Sequence, residues 1–121
     1  SYNELIEQLE FEKYSHDEAV YGADNCGADW TAEALEQAQS YISHSAFSYS
    51  ELYDQLIYEQ FTAEQAQYAV DNCGADWFAE AVEQAESYLS HSSFSRDELY
   101  EQLIYEGFTP EQAEHGVSAV Y

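Results

Sequence analysis

The chain has 121 residues, of which 45% are apolar and 17% aromatic, enough to bury a core and too many for a disordered segment. Its 25 acids against 2 bases give a net charge of −23, and only Lys13 and Arg96 could neutralise phosphate, so most nucleic-acid readings fall on charge alone and a basic macromolecular partner is favoured. No apolar run approaches the ~20 residues of a membrane helix, and the opening SYNELIE is not a basic stretch followed by an apolar one, so the chain is expected to be a soluble piece.

The first predicted element is a helix opened by Ser1-Tyr2-Asn3-Glu4, an S-x-x-E capping box in which serine and glutamate side chains each satisfy an orphan amide of the first turn. Ser15-His16-Asp17-Glu18 opens a second helix after a tight turn. The stretch DNCGADW then runs from Asp24 to Trp30 as a helix junction, with a glycine to end one helix and an aspartate to cap the next. In the third helix Trp30, Ala34, Leu35, Ala38, Tyr41 and Ile42 share one face, and the tryptophan is expected to plug the core between repeats.

The same series begins again with the box Ser48-Tyr49-Ser50-Glu51, followed by the amphipathic arc Leu52, Tyr53, Leu56, Ile57 and Phe61. Thr62-Ala63-Glu64-Gln65 opens the next helix, whose Ala66, Ala69 and Val70 lead to Gly74 in the second DNCGADW, Asp71 to Trp77. Trp77, Phe78, Ala81, Val82, Ala85, Tyr88 and Leu89 then share a face. A third start comes at Ser95-Arg96-Asp97-Glu98, and Thr109-Pro110-Glu111-Gln112 opens the last helix with proline at its favoured first position.

Aligned end to end, residues 24–70 and 71–117 agree at about 34 of roughly 47 positions, which marks duplication. The expected fold is therefore all-α, with tandem repeats of short helices in helix-turn-helix units, about eight helices and no strands. The repeats divide as 1–44 and 45–91, each of three helices, and 92–121, a C-terminal helix-turn-helix half-repeat. Cys26 and Cys73 occupy equivalent junctions a whole repeat apart, beyond disulfide reach, and are expected to be free and buried.

No residue stands out as catalytic, cofactor-binding or metal-ligating, so no enzyme and no cofactor are expected. The junction offers Asp24, but Cys26 and Ala28 stand where a calcium loop needs oxygens, and no H-x-x-x-H, G-x-S-x-G or glycine-rich phosphate loop occurs. His44 and His91 close equivalent helices, and His16 and His115 stand near the second helix of their repeats, places suited to caps or surface positions.

A different pattern recurs three times on the first helix of each repeat. Glu51, Asp54 and Tyr58 lie at i, i+3 and i+7, away from the Leu52–Leu56 side, and their counterparts are Glu4, Glu7 and Phe11, and Glu98, Glu101 and Tyr105. Two acids and an aromatic on a polar face suit the capture of basic residues by ion pairing and cation–π contact. The plainer alternative is an aromatic packed on a neighbouring helix beside merely solvated acids.

DNCGADW, the A-x-S-Y-L/I run before S-x-F-S, and ELYEQLIYEGFTPEQAEHGV, repeated at one period over essentially the whole chain, resemble the Ltp-type host cell surface-exposed lipoproteins of temperate phages and their Gram-positive hosts. The resemblance implies a superinfection-exclusion protein, lipid-anchored on the outer face of the cytoplasmic membrane, that stops an incoming phage from injecting its DNA. The implied partner is the phage tape-measure protein, taken through a basic segment; no nucleic acid is expected, and the protein is expected to be a monomer. The membrane would be reached only through an N-terminal lipid anchor, and neither Cys26 nor Cys73 sits in a lipobox-like context. An acidic DNA mimic that inhibits a basic DNA-binding protein is the alternative that the charge supports, whereas near-absence of Lys and Arg argues against a helix-turn-helix DNA reader.

Overall fold

The computed structural model describes residues 1–27 and 29–121; Ala28, used above in the argument against a calcium loop, lies outside the described residues. Among the described residues eight helices follow one another: α1 (Tyr2–Phe11), α2 (His16–Asp24), α3 (Trp30–His44), α4 (Tyr49–Tyr58), α5 (Ala63–Asn72), α6 (Trp77–His91), α7 (Arg96–Tyr105) and α8 (Pro110–Val120). Among the described residues there is no strand, as the sequence leads one to expect.

The helices start where their caps dictate. Ser1, Ser15, Thr62, Ser95 and Thr109 each complete a reciprocal box with the Glu or Gln three residues on. At α4 the Ser48 amide donates to Glu51 Oε1 at 3.0 Å, and the Glu51 amide to Ser48 Oγ at 3.1 Å.

DNCGADW is a junction in which most letters have a job. The Asn25 and Asn72 side-chain amides donate to the carbonyls of Tyr21 and Tyr68, each at 2.8 Å, covering an acceptor of the last turn. The thiols of Cys26 and Cys73 reach the carbonyls of Ala23 and Val70. Gly27 and Gly74 then turn the chain through the left-handed region at φ 82° and 81°, which a Cβ would penalise. Asp76 Oδ1 accepts from the amides of Phe78 and Ala79, and Asp29 Oδ1 from that of Ala32, so the aspartate starts the next helix.

The helices group into two compact units, each discontinuous in sequence. The first comprises 1–38 and 53–73, thus α1, α2, the first part of α3, most of α4 and α5. Its buried residues are small, with Ala19, Ala23, Ala34, Ala38, Ala66 and Ala69 nearly inaccessible beside Leu56, Val70 and Phe61. Alanine stripes let helix backbones approach closely, and Gly22 continues this, since a Cβ there would come within 3.0 Å of Leu9 Cδ1.

The second unit comprises 39–52 and 74–121. Ala81, Ala85, Leu99, Leu103, Phe108, Ala113 and Val117 form its core, flanked by Tyr88, Leu89, Phe94, Tyr100, Ile104 and Val120. Leu99 and Leu103 are fully buried, and each contributes about 1.5–3 kcal/mol of apolar transfer free energy. α8 passes close to α6 at Gly116, where any Cβ would stand 2.9 Å from the Ala81 carbonyl oxygen.

Three sequence expectations need correction. Cys73 is buried but Cys26 is exposed, and both are free. Ile57 and Phe78, placed above on buried faces, are 39% and 44% exposed, because the buried arc narrows to the Leu52–Leu56 and Ala81–Ala85 rows. The tryptophans are half-buried rather than fully enclosed. Each meets the tyrosine that opens the first helix of its own repeat, Tyr2 edge-on to Trp30 at 6.1 Å and Tyr49 to Trp77 at 5.5 Å.

Candidate partner-binding surface

Each acid–aromatic stripe lies on a single helix, α1, α4 or α7. Phe11 and Tyr58 are both 82% exposed and Tyr105 86%, so none of the three rings is packed away on a neighbouring helix. Glu7, Asp54 and Glu101 are exposed one turn earlier, four residues before their aromatic and hence on the same face. Glu7 also accepts from the Gln60 side chain at 3.2 Å within the first unit.

The first acid of each stripe has a different occupation. Glu4, Glu51 and Glu98 close their capping boxes at the third helical position, Glu4 accepting from the Ser1 N-terminal ammonium and Glu51 and Glu98 from the backbone amides of Ser48 and Ser95. Accepting the Ser95 amide holds the exposed Glu98 carboxylate below its usual range. The geometry thus divides each stripe into a capping acid and an exposed pair, Glu7 with Phe11, Asp54 with Tyr58, and Glu101 with Tyr105.

Glu51 goes further, into a partly buried polar cluster inside the second unit. Ser48 is fully buried and donates its hydroxyl to the Glu106 carbonyl at 2.6 Å. The Glu106 carboxylate takes the Tyr88 hydroxyl and the Gln102 amide, the latter at 3.2 Å. Burial pushes the Glu51 carboxyl up to about 7, and its hydrogen bond to Glu106 pushes the same way against the pull of the Ser48 amide. Burial also pulls Glu106 upward, but hydrogen bonds from Glu51, Tyr88 and Gln102 outweigh it and hold that carboxyl below its ordinary value. The two carboxyls are thus pushed apart, Glu51 upward and Glu106 downward. Nearby, buried Glu80 accepts the Phe47 amide at 3.0 Å, and burial raises its carboxyl as well.

Sequence reasoning missed this cluster, because Ser48 and Glu106 stand 58 residues apart and no spacing rule connects them. It also missed a cavity of about 480 Å³ in the first unit, lined by Tyr2, Trp30, Thr31, Thr62, Glu64, Gln65 and Tyr68. The available signal was the tyrosine that follows the capping serine in two repeats, Tyr2 and Tyr49.

The positive charge is largely used internally. Arg96 pairs with Glu114 of α8 and donates to Ser118 Oγ at 3.0 Å. His44 and His91 point Nδ1 at the carbonyls of Ser40 and Ser87, at 2.7 and 2.8 Å, consistent with helix-end caps. Among the described residues no group of three or more His, Cys, Asp and Glu is placed to hold a metal ion, and no helix is long and apolar enough to cross a membrane.

The model of the family of host cell surface-exposed lipoproteins matches residues 29–73 and again 76–120. Among solved structures, Ltp, a superinfection exclusion protein from the Streptococcus thermophilus temperate phage TP-J34, superposes with a TM-score of 0.71 at 31% sequence identity, over 75% of this chain and 95% of that one. A search of curated proteins returns no match. Two consecutive matches that take in most of the chain, together with a shared fold at that identity, establish that this protein belongs to the family of host cell surface-exposed lipoproteins.

Proposed function

We propose that this protein is a superinfection-exclusion factor that blocks DNA injection by an incoming phage at the host surface, by binding a basic segment of the tail tape-measure protein. The observation that carries the reading is its likeness in fold and sequence to a superinfection exclusion protein of a temperate phage. The surface chemistry supports it. A net charge of −23 attracts a cationic chain from a distance, and the exposed pairs on α1, α4 and α7 offer a carboxylate beside an aromatic face in each of the repeats 1–44, 45–91 and 92–121. Such contacts are individually weak, and three on one chain raise the effective affinity for a partner bearing several basic residues.

In this account a lipid anchor holds the domain on the outer face of the cytoplasmic membrane of a Gram-positive host, where the tape-measure protein emerges from the tail. The test is an infection experiment comparing surface-anchored with untethered cytoplasmic protein. The anchored form should leave phage adsorption intact while preventing entry of phage DNA, and the cytoplasmic form should not protect. Equal protection by both forms would contradict action at the surface and favour the DNA-mimic alternative.

A further inference from the structure

We infer that the cavity of the first unit is a receptor for a single cationic side chain, best an arginine, and that the duplicated position in the second unit is closed by a ring pair. The inference deepens the proposed function and rests on it for the source of the arginine, a basic polypeptide, but the cavity and its test stand separately.

Three aromatic rings, Tyr2, Trp30 and Tyr68, line the cavity beside the hydroxyls of Thr31 and Thr62, the Gln65 amide and the Glu64 carboxylate. No basic side chain is among them. At about 480 Å³ it falls within the range of small-ligand sites. Tyr2 donates its hydroxyl to Asp24 at 2.7 Å, which brings a second carboxylate next to the aromatic wall. Helix starts border the cavity, and open helix starts would favour an anion. Here part of that donor set is already taken: Gln65 and Thr62 satisfy each other's amides, and Asp29 takes the amide of Ala32. The lining otherwise offers π faces, the Glu64 carboxylate with Asp24 beside it, and hydroxyl acceptors, which match a planar guanidinium that stacks and donates in several directions.

The second repeat supplies the comparison. Moved on by one repeat, the lining reads Tyr49, Trp77, Phe78, Thr109, Glu111, Gln112 and His115. Five of the seven are the same residue types, and the two that change, Thr31 to Phe78 and Tyr68 to His115, are in contact as an edge-on ring pair at 5.5 Å. The second unit thus has a contacting ring pair at the two positions where the first unit lines its cavity with Thr31 and Tyr68.

The chain has two tryptophans, one at each position, so their indole N–H resonances report the two sites separately. The probe is N-acetyl-L-arginine amide, with N-acetyl-L-citrulline amide as its neutral isostere, titrated into the whole chain. The Trp30 resonance should shift saturably in the millimolar range with the arginine probe, at least about tenfold more weakly with citrulline, while Trp77 stays still. Thr31→Phe with Tyr68→His should abolish the Trp30 response. Phe78→Thr with His115→Tyr should confer one on Trp77, a gain that misfolding cannot imitate. Equal shifts of both indoles in the wild type, or equal response to the two probes, would overturn the inference as general ion attraction or apolar contact. Binding of the arginine probe without binding of a tape-measure protein would keep the cavity and remove only the partner.

Discussion

The Ser48 hydroxyl donates to the Glu106 carbonyl at 2.6 Å while also accepting the Glu51 amide, so one fully buried serine both caps α4 and pins the turn that follows α7. Ser48→Ala removes the cap and leaves a partly buried carbonyl without this donor, and should cost about 2–3 kcal/mol. Ser95→Ala, at an exposed box of the same design, should cost only about 1 kcal/mol. Urea unfolding of the two variants checks the difference, and equal costs would mean that the link to Glu106 contributes nothing.

The neighbouring Glu51 makes stability depend on pH. Its carboxyl titrates at about 7 in the fold against 4.5 without the fold, so the native state binds the extra proton between those values. The resulting stabilisation is complete below pH 4.5 and is lost as pH rises through about 7. Glu51→Gln keeps the capping acceptor, as Gln65 and Gln112 do in their boxes, and cannot ionise. The variant should match the wild type near pH 4.5 and exceed it at pH 8 by on the order of 1 kcal/mol, a figure discounted for solvent screening because the group is only half-buried. Comparing the two proteins cancels the opposite trend from carboxyls held low, such as Glu98. Parallel pH profiles would contradict the assignment.

The turn after the first helix of each repeat places Lys13, Gln60 and Gly107 in the left-handed region, at φ 73°, 75° and 101°. Only the last is glycine, and there a Cβ would also come within 2.9 Å of Ser48 Oγ. Lys13→Gly relieves backbone strain and should stabilise by about 0.5–1 kcal/mol, read as a higher urea midpoint. Gly107→Ala should destabilise by more than about 1 kcal/mol. A Lys13→Gly protein less stable than wild type would show that the lysine side chain outweighs the strain.

Repeat-equivalent leucines are not equivalent in energy. Leu99 is fully buried in the core of the second unit, whereas Leu5, its counterpart on α1, is half-buried. Leu99→Ala should therefore cost about 3–5 kcal/mol and Leu5→Ala about 1–2 kcal/mol, compared by thermal or urea unfolding. Equal costs would mean that α1 is covered in solution.

The helices were legible because their signals are local. A capping box acts over four residues and an amphipathic arc over ten, so Ser15 with Glu18, or Asp76 with Ala79, could be read without knowing any neighbour. Exposure depends on what packs alongside, which one strand of text does not hold. That is why Cys26 and Cys73 read alike but differ, and why Phe78 was misplaced. The stripes and the capping boxes were both visible in the sequence, and because Glu4, Glu51 and Glu98 belong to both, the exposed pair of each stripe is what the boxes leave over. Ser48 with Glu106, and the cavity bounded by Tyr2, Trp30 and Tyr68, are tertiary and left no spacing to find.

The most direct test of capture by the acidic surface is a titration against the purified tape-measure protein of a sensitive phage at low and moderate salt. The account predicts micromolar or tighter binding that weakens as salt rises, and a large loss of affinity with retained helix content when Asp54→Asn, Tyr58→Ala, Glu101→Gln and Tyr105→Ala are combined. Absence of binding at both salt concentrations, or unchanged affinity in the combined variant, would contradict it.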